Sequence, residues 1–204
     1  LCELIRNDSI ELFIAYVNRT NYHLSNLIEE SIFETNSFLI KNRPNLIEYA
    51  AFFGSIQIFQ YLYFNKVELE SSLWFYAIHG KNAEIIHILE TNNVLPPKKS
   101  YEKCLKESIK CHHNDLANYI INNLIDNNDF EKNIINNFSE NINEYSIRYF
   151  NFYFFTFDLK NKFIFYYLCE FNYIELVDLY LKFIYIDLNA TIIILLFDFF
   201  HRIS

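Results

Sequence analysis

The sequence contains no methionine, only two glycines and only 17 lysines and arginines among its 204 residues. Because Gly54 and Gly80 are its only glycines, a glycine-rich phosphate loop of the Walker or dinucleotide-binding kind cannot form, which excludes nucleotide binding by those routes. The 25 aspartates and glutamates outnumber the cations and give a net charge of -8. Since nucleic-acid binding requires clustered lysines and arginines to neutralise phosphates, we expect no nucleic-acid partner.

Long apolar runs and a recognisable start are also missing. The run TIIILLF at 191–197 is followed by Asp198 and is far shorter than the roughly 18 residues that a membrane helix needs, so we expect no membrane span. The chain opens at Leu1 inside an apolar pattern and without a signal peptide, which predicts a fragment of a longer protein. The four cysteines have no disulfide-framework spacing, which is typical of a reducing compartment. These features predict a cytoplasmic, monomeric protein.

Apolar residues are abundant. They make up 52% of the chain against 21% charged residues, a balance that supports a globular core and excludes general disorder. Asparagine, at about one residue in eight, is also far above ordinary usage. Asn, Ile, Lys, Phe and Tyr all have AT-rich codons, so base composition accounts for an excess of these types. The many aromatic residues are therefore weak evidence for a ligand site.

One helical pattern recurs five times along the sequence. Each copy starts at an anchor residue, with a polar or acidic residue three positions later and apolar residues four, five and eight positions later. The anchors are Asp8, Gly54, Lys81, His112 and Asn172. Positions four, five and eight lie on one face of a helix with 3.6 residues per turn, so each anchor precedes a helix with one apolar face. Self-similarity of this kind predicts a helical repeat protein.

The residues before the anchors predict another helix in each unit. The fourth residue before an anchor is small in three copies, where it is Ala50, Ala77 or Ser108, and small side chains let a neighbouring helix approach closely. The anchor is then the turn between the two helices, where a positive φ is expected. Gly54 adopts such a φ freely, and Asn and Asp tolerate it better than most residues.

Two details of this turn are also predicted. The residue after the anchor is Ser9, Ser55 or Asn82 in three copies, and these side chains are expected to cap the second helix. Lys81 is a poor residue for a positive φ, and we expect it to depend on Gly80 beside it.

The spacing of the anchors supports an array of units. From Gly54 onward the anchors are 27, 31 and 60 residues apart, and the last step equals two units of about thirty. A degenerate unit is therefore expected in FEKNIINNFSENINEYSIRYF (130–150), which matches the pattern poorly. Helix pairs are predicted near residues 1–17, 45–64, 72–91, 101–124 and 164–182. Within them, Ile58, Trp74, Ile85 and Leu176 are expected to be buried.

With these residues in place, the sequence resembles the ankyrin repeat family. The segment NLIEYAAFFGSIQIFQYL (45–62) stands where that family has a Thr-Pro-Leu-His-x-Ala-Ala segment, a Gly turn and a Glu-Ile-Val helix, and YIDLNA (185–190) is similar to the Ala-Asp-Val-Asn-Ala before a next repeat. It looks like the divergent, Asn- and Ile-rich ankyrin-type proteins, some with a domain of unknown function, that are abundant in AT-rich protozoan genomes. The Thr-Pro-Leu-His motif is nowhere intact, and Leu168 replaces the first Ala.

The resemblance implies an all-α, ankyrin-type helical repeat solenoid with short or reduced hairpin fingers. It implies a degenerate N-terminal repeat or cap at 1–44, ankyrin-like repeats at 45–125, a degenerate repeat at 126–160 and a truncated C-terminal ankyrin-like repeat at 161–204. It also implies protein recognition on a concave face formed by the first helices and fingers, because stacked pairs build a continuous core and leave a long groove.

Catalytic and metal-binding patterns are weak. Cys104, Cys111, His112 and His113 form a C-x6-C-H-H group that matches no standard zinc spacing. His79 and Cys111 are conceivable as base and nucleophile, but they belong to different repeats and the sequence shows no acid to orient them. We therefore expect no catalytic, cofactor-binding or metal-binding residues.

The expected function is that of a non-catalytic protein–protein interaction scaffold with another protein as partner. An alternative is a targeting or regulatory array of a larger enzyme whose catalytic domain lies outside the fragment, and a third is a truncated or decaying gene copy. The residue two positions before each anchor varies while the pattern around it holds, and it lies on the side that resembles the recognition face of ankyrin arrays. The predicted partner-binding column is therefore Arg6, Phe52, His79, Lys110 and Glu170.

Overall fold

The computed structural model describes residues 1–29, 31–125, 135–156 and 162–183, with the side chains of 135–141, 162 and 183 left aside. The described part is mostly helical and holds no strand, only a single bridge between Leu27 and Asn45. The all-α class is therefore confirmed. The chain divides into two compact units, Leu1–Ile125 and Asp126–Ser204, which are treated separately below. None of the described helices combines the length and apolar character that a membrane span requires.

The first unit contains four helix pairs and one additional short helix. The pairs are α1 (Cys2–Arg6) with α2 (Ile10–Thr20), α4 (Leu46–Phe53) with α5 (Ile56–Phe64), α6 (Leu73–Gly80) with α7 (Ala83–Thr91), and α8 (Glu102–Lys110) with α9 (Asn114–Tyr119). Helix α3 (Ser37–Asn42) lies between the first two pairs in sequence, a 3-10 turn spans Pro97–Lys99, and α9 continues into a π-helical turn at Ile120–Leu124. The predicted helix pairs of this unit are thus confirmed.

All five anchors form left-handed turns between two helices, as predicted. Their φ values are 50° at Asp8, 68° at Gly54, 49° at Lys81, 57° at His112 and 59° at Asn172. At four of them the anchor N–H donates to the carbonyl three residues earlier, and the next N–H donates to the carbonyl four residues before the anchor. These bonds satisfy carbonyls that the end of the first helix would leave without partners.

Capping of the second helices follows the prediction at only one of three positions. Asn82 caps α7, because its Oδ1 accepts from the backbone N–H groups of Glu84 (2.9 Å) and Ile85 (3.3 Å). Ser9 and Ser55 occupy the N-cap positions of α2 and α5, yet neither side chain accepts a cap hydrogen bond, so this prediction was wrong. The reason at Ser55 is that its hydroxyl donates instead to the carbonyl of Ile5 in the preceding helix pair.

Helix α5 receives its cap from the neighbouring pair. The carboxylate of Asp8 accepts from the backbone N–H groups of Gln57 and Ile58, each at 3.0 Å. This carboxylate lies at the N-terminus of α5, where the helix dipole favours negative charge. The anchor of one pair therefore supports the second helix of the next pair.

Successive helix pairs of the first unit stack in two layers. The first helices α1, α4, α6 and α8 pack in that order, and the second helices α2, α5 and α7 pack beside them. Ala50, Ala77 and Ser108 are all buried, as their small size predicted for closely packed first helices. The two glycines meet at this contact: a Cβ placed on Gly80 would lie 2.0 Å from the carbonyl oxygen of Ala51 and 2.8 Å from the nitrogen of Gly54.

This contact corrects the role expected for Gly80. Lys81 adopts the positive φ itself, and Gly54 is the only glycine with a positive φ. Gly80 instead belongs to α6, where the absence of a side chain lets α6 touch the backbone of α4.

The second unit contains α10 (Ile135–Arg148), a 3-10 turn (Phe152–Phe154), α11 (Lys162–Glu170) and α12 (Ile174–Phe183). Helices α11 and α12 form the predicted pair, and α10 packs against α11. The ring centroids of Phe150 and Phe152 lie 4.8 and 5.8 Å from that of Tyr173, so aromatic residues after α10 pack against the turn between α11 and α12. The segment YIDLNA (185–190) and residues 191–204 lie outside the described residues.

Phe150 forms another left-handed turn with the hydrogen bonds seen at the anchors, at a position where the sequence pattern predicted none. Phe150 has a φ of 57°, and its N–H and that of Asn151 donate to Ile147 and Ser146 as at the other anchors. Ser146 is the small, buried residue four positions before it. The pattern missed this turn because Asp158 occupies the eighth position after Phe150 and the following helix is only one 3-10 turn.

Most of the predicted core residues are buried. Ile58, Trp74 and Ile85 are fully buried, and the indole N–H of Trp74 donates to the carbonyl of Val94. Leu176 is only partly buried, which corrects the expectation. The reason is that the buried face of α12 centres on Tyr180, so Leu176 lies toward its margin.

Candidate functional site

The structure places four members of the predicted partner-binding column in the first unit and Glu170 in the second. Arg6, Phe52, His79 and Lys110 lie near the C-terminal ends of α1, α4, α6 and α8, the four stacked first helices. Arg6 and Lys110 are exposed, Glu170 is exposed, and His79 is half-buried. Phe52 and His79 are in ring contact, with centroids 4.7 Å apart.

Phe52 is nearly buried, although a residue of the partner-binding column is expected to be exposed. Only 9% of it is exposed, because the ring of Phe38 from α3 stacks on it at 5.9 Å and His79 covers it from α6. Phe38 also contacts His79, with ring centroids 4.4 Å apart. The imidazole of His79 therefore packs against two phenyl rings, which restrict its orientation.

Polar side chains at the end of α8 lie against this histidine. Together they form a group that is called here the polar cluster: His79, Glu107, Lys110 and Cys111. The Nε2 atom of His79 lies 3.0 Å from Oε1 of Glu107, and the Lys110 ammonium donates to the same oxygen at 2.7 Å. The side chains of His79 and Glu107 are 15% and 16% exposed. Glu107 is therefore a partly buried carboxylate that contacts two basic groups.

The thiol of Cys111 completes the polar cluster. Its Sγ lies 3.5 Å from Nδ1 and 3.9 Å from Nε2 of His79, so the imidazole contacts a thiol and a carboxylate at once. The expectation that no acid accompanies the His79–Cys111 pair was therefore wrong. Glu107 escaped notice because it lies 28 residues from His79 in sequence and only the stacking of α6 on α8 brings them together.

The electrostatics of the cluster do not favour a nucleophilic cysteine. Burial raises the pKa of the Cys111 thiol to about 11, the Glu107 carboxylate acts in the same direction, and Lys110 opposes both. Reactive cysteines have a lowered pKa, since the thiolate is the nucleophile. Burial also tends to raise the pKa of Glu107, but hydrogen bonds from His79 and Lys110 outweigh it and hold the pKa below its usual value. The carboxylate is thus charged at neutral pH and the thiol is protonated.

Arg6 belongs to a different feature, a cleft near the start of the chain. This N-terminal cleft has a volume of about 970 Å³ and lies between α1 and the segment that leads to α4. The Arg6 guanidinium donates to the hydroxyl of Tyr49 at 2.8 Å and to the carboxylate of Glu34 at 2.7 Å, and it lies 5.1 Å from the ring centroid of Phe53. Arg6 is therefore held in one position by several contacts.

The rim of the N-terminal cleft is apolar and exposed. Ile32 is 92% exposed, Phe33 is 83% exposed, and Ile40 on α3 is more than half exposed. All three side chains line the cleft together with Arg6. Sequence analysis missed them because they lie in the irregular stretch between the first two anchors, where no repeat pattern applies. The sequence does place Ile32 and Phe33 side by side between the polar residues Ser31 and Glu34, and this pattern could have indicated an exposed apolar site.

The sequence also contains a spacing from which the polar cluster could have been predicted. Glu107 and Cys111 are four residues apart at the end of one helix, which places them on one side of it, and His79 occupies the column position of the preceding repeat. Comparisons with known proteins add no assignment to either feature: no family model, no curated protein and no solved structure matches the chain significantly.

Proposed function

We propose that the protein is a non-catalytic protein–protein interaction scaffold, in which a stack of ankyrin-type helix pairs presents the N-terminal cleft to a partner protein. The observation that carries the proposal is the pair of exposed apolar side chains at the rim of that cleft, Ile32 and Phe33. Clustered exposed apolar residues with a polar surround are typical of protein interaction sites.

The chemistry of the cleft supports a protein partner with apolar side chains. Ile32, Phe33 and Ile40 offer apolar area, while Arg6 offers a planar cation that its contacts with Tyr49 and Glu34 hold in place. Aromatic and arginine side chains are frequent at the energetic centre of interfaces, and side chains held in advance lose less freedom on binding. The stacked helix pairs provide the rigid support behind the cleft.

The test is a comparison of partner capture by three forms of the protein. Wild type is compared with the double variant Ile32→Ser/Phe33→Ser and with the control Leu12→Ser/Phe64→Ser. The control also removes two exposed apolar side chains, but neither lines the cleft. Each form is immobilised, exposed to an extract of the cells that naturally make the protein, and washed, and the retained proteins are identified by mass spectrometry.

We expect a protein that is retained by wild type and by the control but lost from the cleft variant. Its purified form should bind wild type at least tenfold more tightly than the cleft variant, with circular dichroism showing that all three forms are equally helical. Equal binding by the cleft variant, or equal loss in both double variants, would contradict the proposal.

A further inference from the structure

The polar cluster has the composition of a transition-metal site. His79, Glu107 and Cys111 each offer one ligand atom, and these three atoms lie within 4.8 Å of one another. Imidazole, carboxylate and thiolate are the protein ligands of Zn²⁺, and a set that mixes nitrogen, oxygen and sulfur suits this borderline ion better than Mg²⁺ or Ca²⁺.

Two of the three distances between the ligand atoms are close to those around a tetrahedral ion. Zinc is bound at about 2.0–2.3 Å by these ligands, so two ligand atoms at neighbouring corners of a tetrahedron lie about 3.3–3.8 Å apart. In the cluster, Nε2 of His79 lies 3.0 Å from Oε1 of Glu107 and 3.9 Å from Sγ of Cys111. These two distances differ from the ideal by a few tenths of an ångström, and all three ligand atoms lie within 4.8 Å of one another, so small movements of the side chains can bring them onto one ion.

The helices and rings around the cluster restrict the ligands in advance. Glu107 lies in the last turns of α8 and Cys111 directly follows that helix, while His79 comes from α6 of the preceding pair. The imidazole ring also packs against the rings of Phe38 and Phe52. The three ligands are each partly exposed, so an ion can enter from solvent and a water molecule can occupy the fourth corner.

We propose that His79, Glu107 and Cys111 bind a divalent transition-metal ion, with Zn²⁺ as the preferred ion, and that the bound ion joins α6 to α8. On binding, the Cys111 thiol loses its proton to solvent and forms the sulfur–metal bond. The imidazole of His79 gives up the Nε2 proton that faced Glu107 and keeps a single proton on Nδ1, so the metal replaces the hydrogen bond between His79 and Glu107. No electron transfer is involved. The ion clamps two successive helix pairs at their contact.

Lys110 is a built-in competitor for the metal. Its ammonium lies 2.7 Å from Oε1 of Glu107, the oxygen that faces His79, and it must leave that atom when a metal binds. Removing the ammonium should therefore tighten metal binding. A merely structural hydrogen-bonded cluster predicts no such gain.

The experiment titrates the full chain, kept reduced, with Co²⁺ as a spectroscopic substitute for Zn²⁺. A thiolate ligand produces sulfur-to-cobalt charge-transfer absorption in the near ultraviolet, and a tetrahedral site produces intense visible bands. We expect both, with one Co²⁺ per chain, and displacement by Zn²⁺. Cys111→Ser should abolish the charge-transfer band, whereas the control Cys169→Ser should retain it.

Two further variants separate metal binding from damage to the fold. Glu107→Gln should weaken Co²⁺ binding at least tenfold, and Lys110→Ala should tighten it several-fold. Zn²⁺ at 100 times its dissociation constant should shift the unfolding equilibrium of wild type about 100-fold toward the native state. Absence of the bands in wild type, their survival in Cys111→Ser, or unchanged affinity in Lys110→Ala would overturn the proposal.

Discussion

Replacing Gly80 with alanine should destabilise the first unit strongly. The added Cβ would lie 2.0 Å from the carbonyl oxygen of Ala51, and ordinary contact begins near 3.4 Å, so α4 and α6 would have to separate by about 1.4 Å. The obstacle is backbone and cannot rotate away. Overpacking typically costs about 1–3 kcal/mol, and this unusually close contact belongs at the upper end; because alanine at a helical position regains up to about 1 kcal/mol, we expect a net loss of about 2 kcal/mol.

The assay uses the fluorescence of Trp74, the only tryptophan in the chain, which lies on the same helix as Gly80 and is fully buried. Thermal unfolding followed at this residue should show a midpoint about 4–8 °C lower in Gly80→Ala than in wild type. The comparison is Gly54→Ala, where a Cβ would meet the carbonyl oxygen of Gly80 at 2.9 Å and the φ is +68°.

The order of the two variants is the critical result. If backbone conformation alone mattered, Gly54→Ala would be harmful and Gly80→Ala would be neutral or stabilising, because Gly80 has no positive φ. The packing of α6 on α4 predicts that Gly80→Ala is the worse of the two. An unchanged or higher midpoint for Gly80→Ala would refute the reasoning.

Three further predictions follow from the same contacts. Asp8→Ala should lower the free energy of unfolding by about 1–2 kcal/mol, because two N–H groups of α5 lose their acceptor and alanine must keep a φ of 50°. Asp8→Asn should cost clearly less, and urea unfolding measures both variants. Ile85→Ala should lower the free energy of unfolding by about 2–5 kcal/mol, and Leu176→Ala should lower it less because Leu176 is only partly buried. An equal loss in the same assay would contradict this difference in burial. Burial raises the pKa of the Cys104 thiol to about 12, so this thiol should resist iodoacetamide at neutral pH until the protein unfolds, while the partly exposed Cys2 reacts. Equal labelling rates of the two cysteines, measured by mass spectrometry, would contradict this prediction.

The fold was predictable to the extent that it is local. The helix pattern and the left-handed anchors depend on residues within about one unit of each other, so five turns could be located from spacing alone. The turn at Phe150 escaped because the helix after it is reduced to Phe152–Phe154. The cap that Asp8 gives to Gln57 could not be foreseen either, since it depends on how two pairs stack across 49 residues of sequence.

The candidate site was less predictable than the fold. The column placed Phe52 and His79 on successive repeats, and their rings are in contact, but the sequence pattern could not show that Phe38 covers Phe52. Phe38 belongs to the irregular stretch between anchors, where no periodicity constrains the chain. The partner-binding role of the column stays a prediction.

If the helix pairs stack as described, the turns of successive pairs meet in register, with Gly80 against Gly54. The chain has only two glycines, so their amide signals can be assigned without ambiguity in a nuclear magnetic resonance spectrum. The Hα of Gly80 that takes the place of a Cβ points at the nitrogen of Gly54, to which a Cβ would lie at 2.8 Å. We predict a strong nuclear Overhauser effect between this Hα and the Gly54 amide proton. Its absence, with both signals sharp and assigned, would contradict the stacking on which both proposals depend.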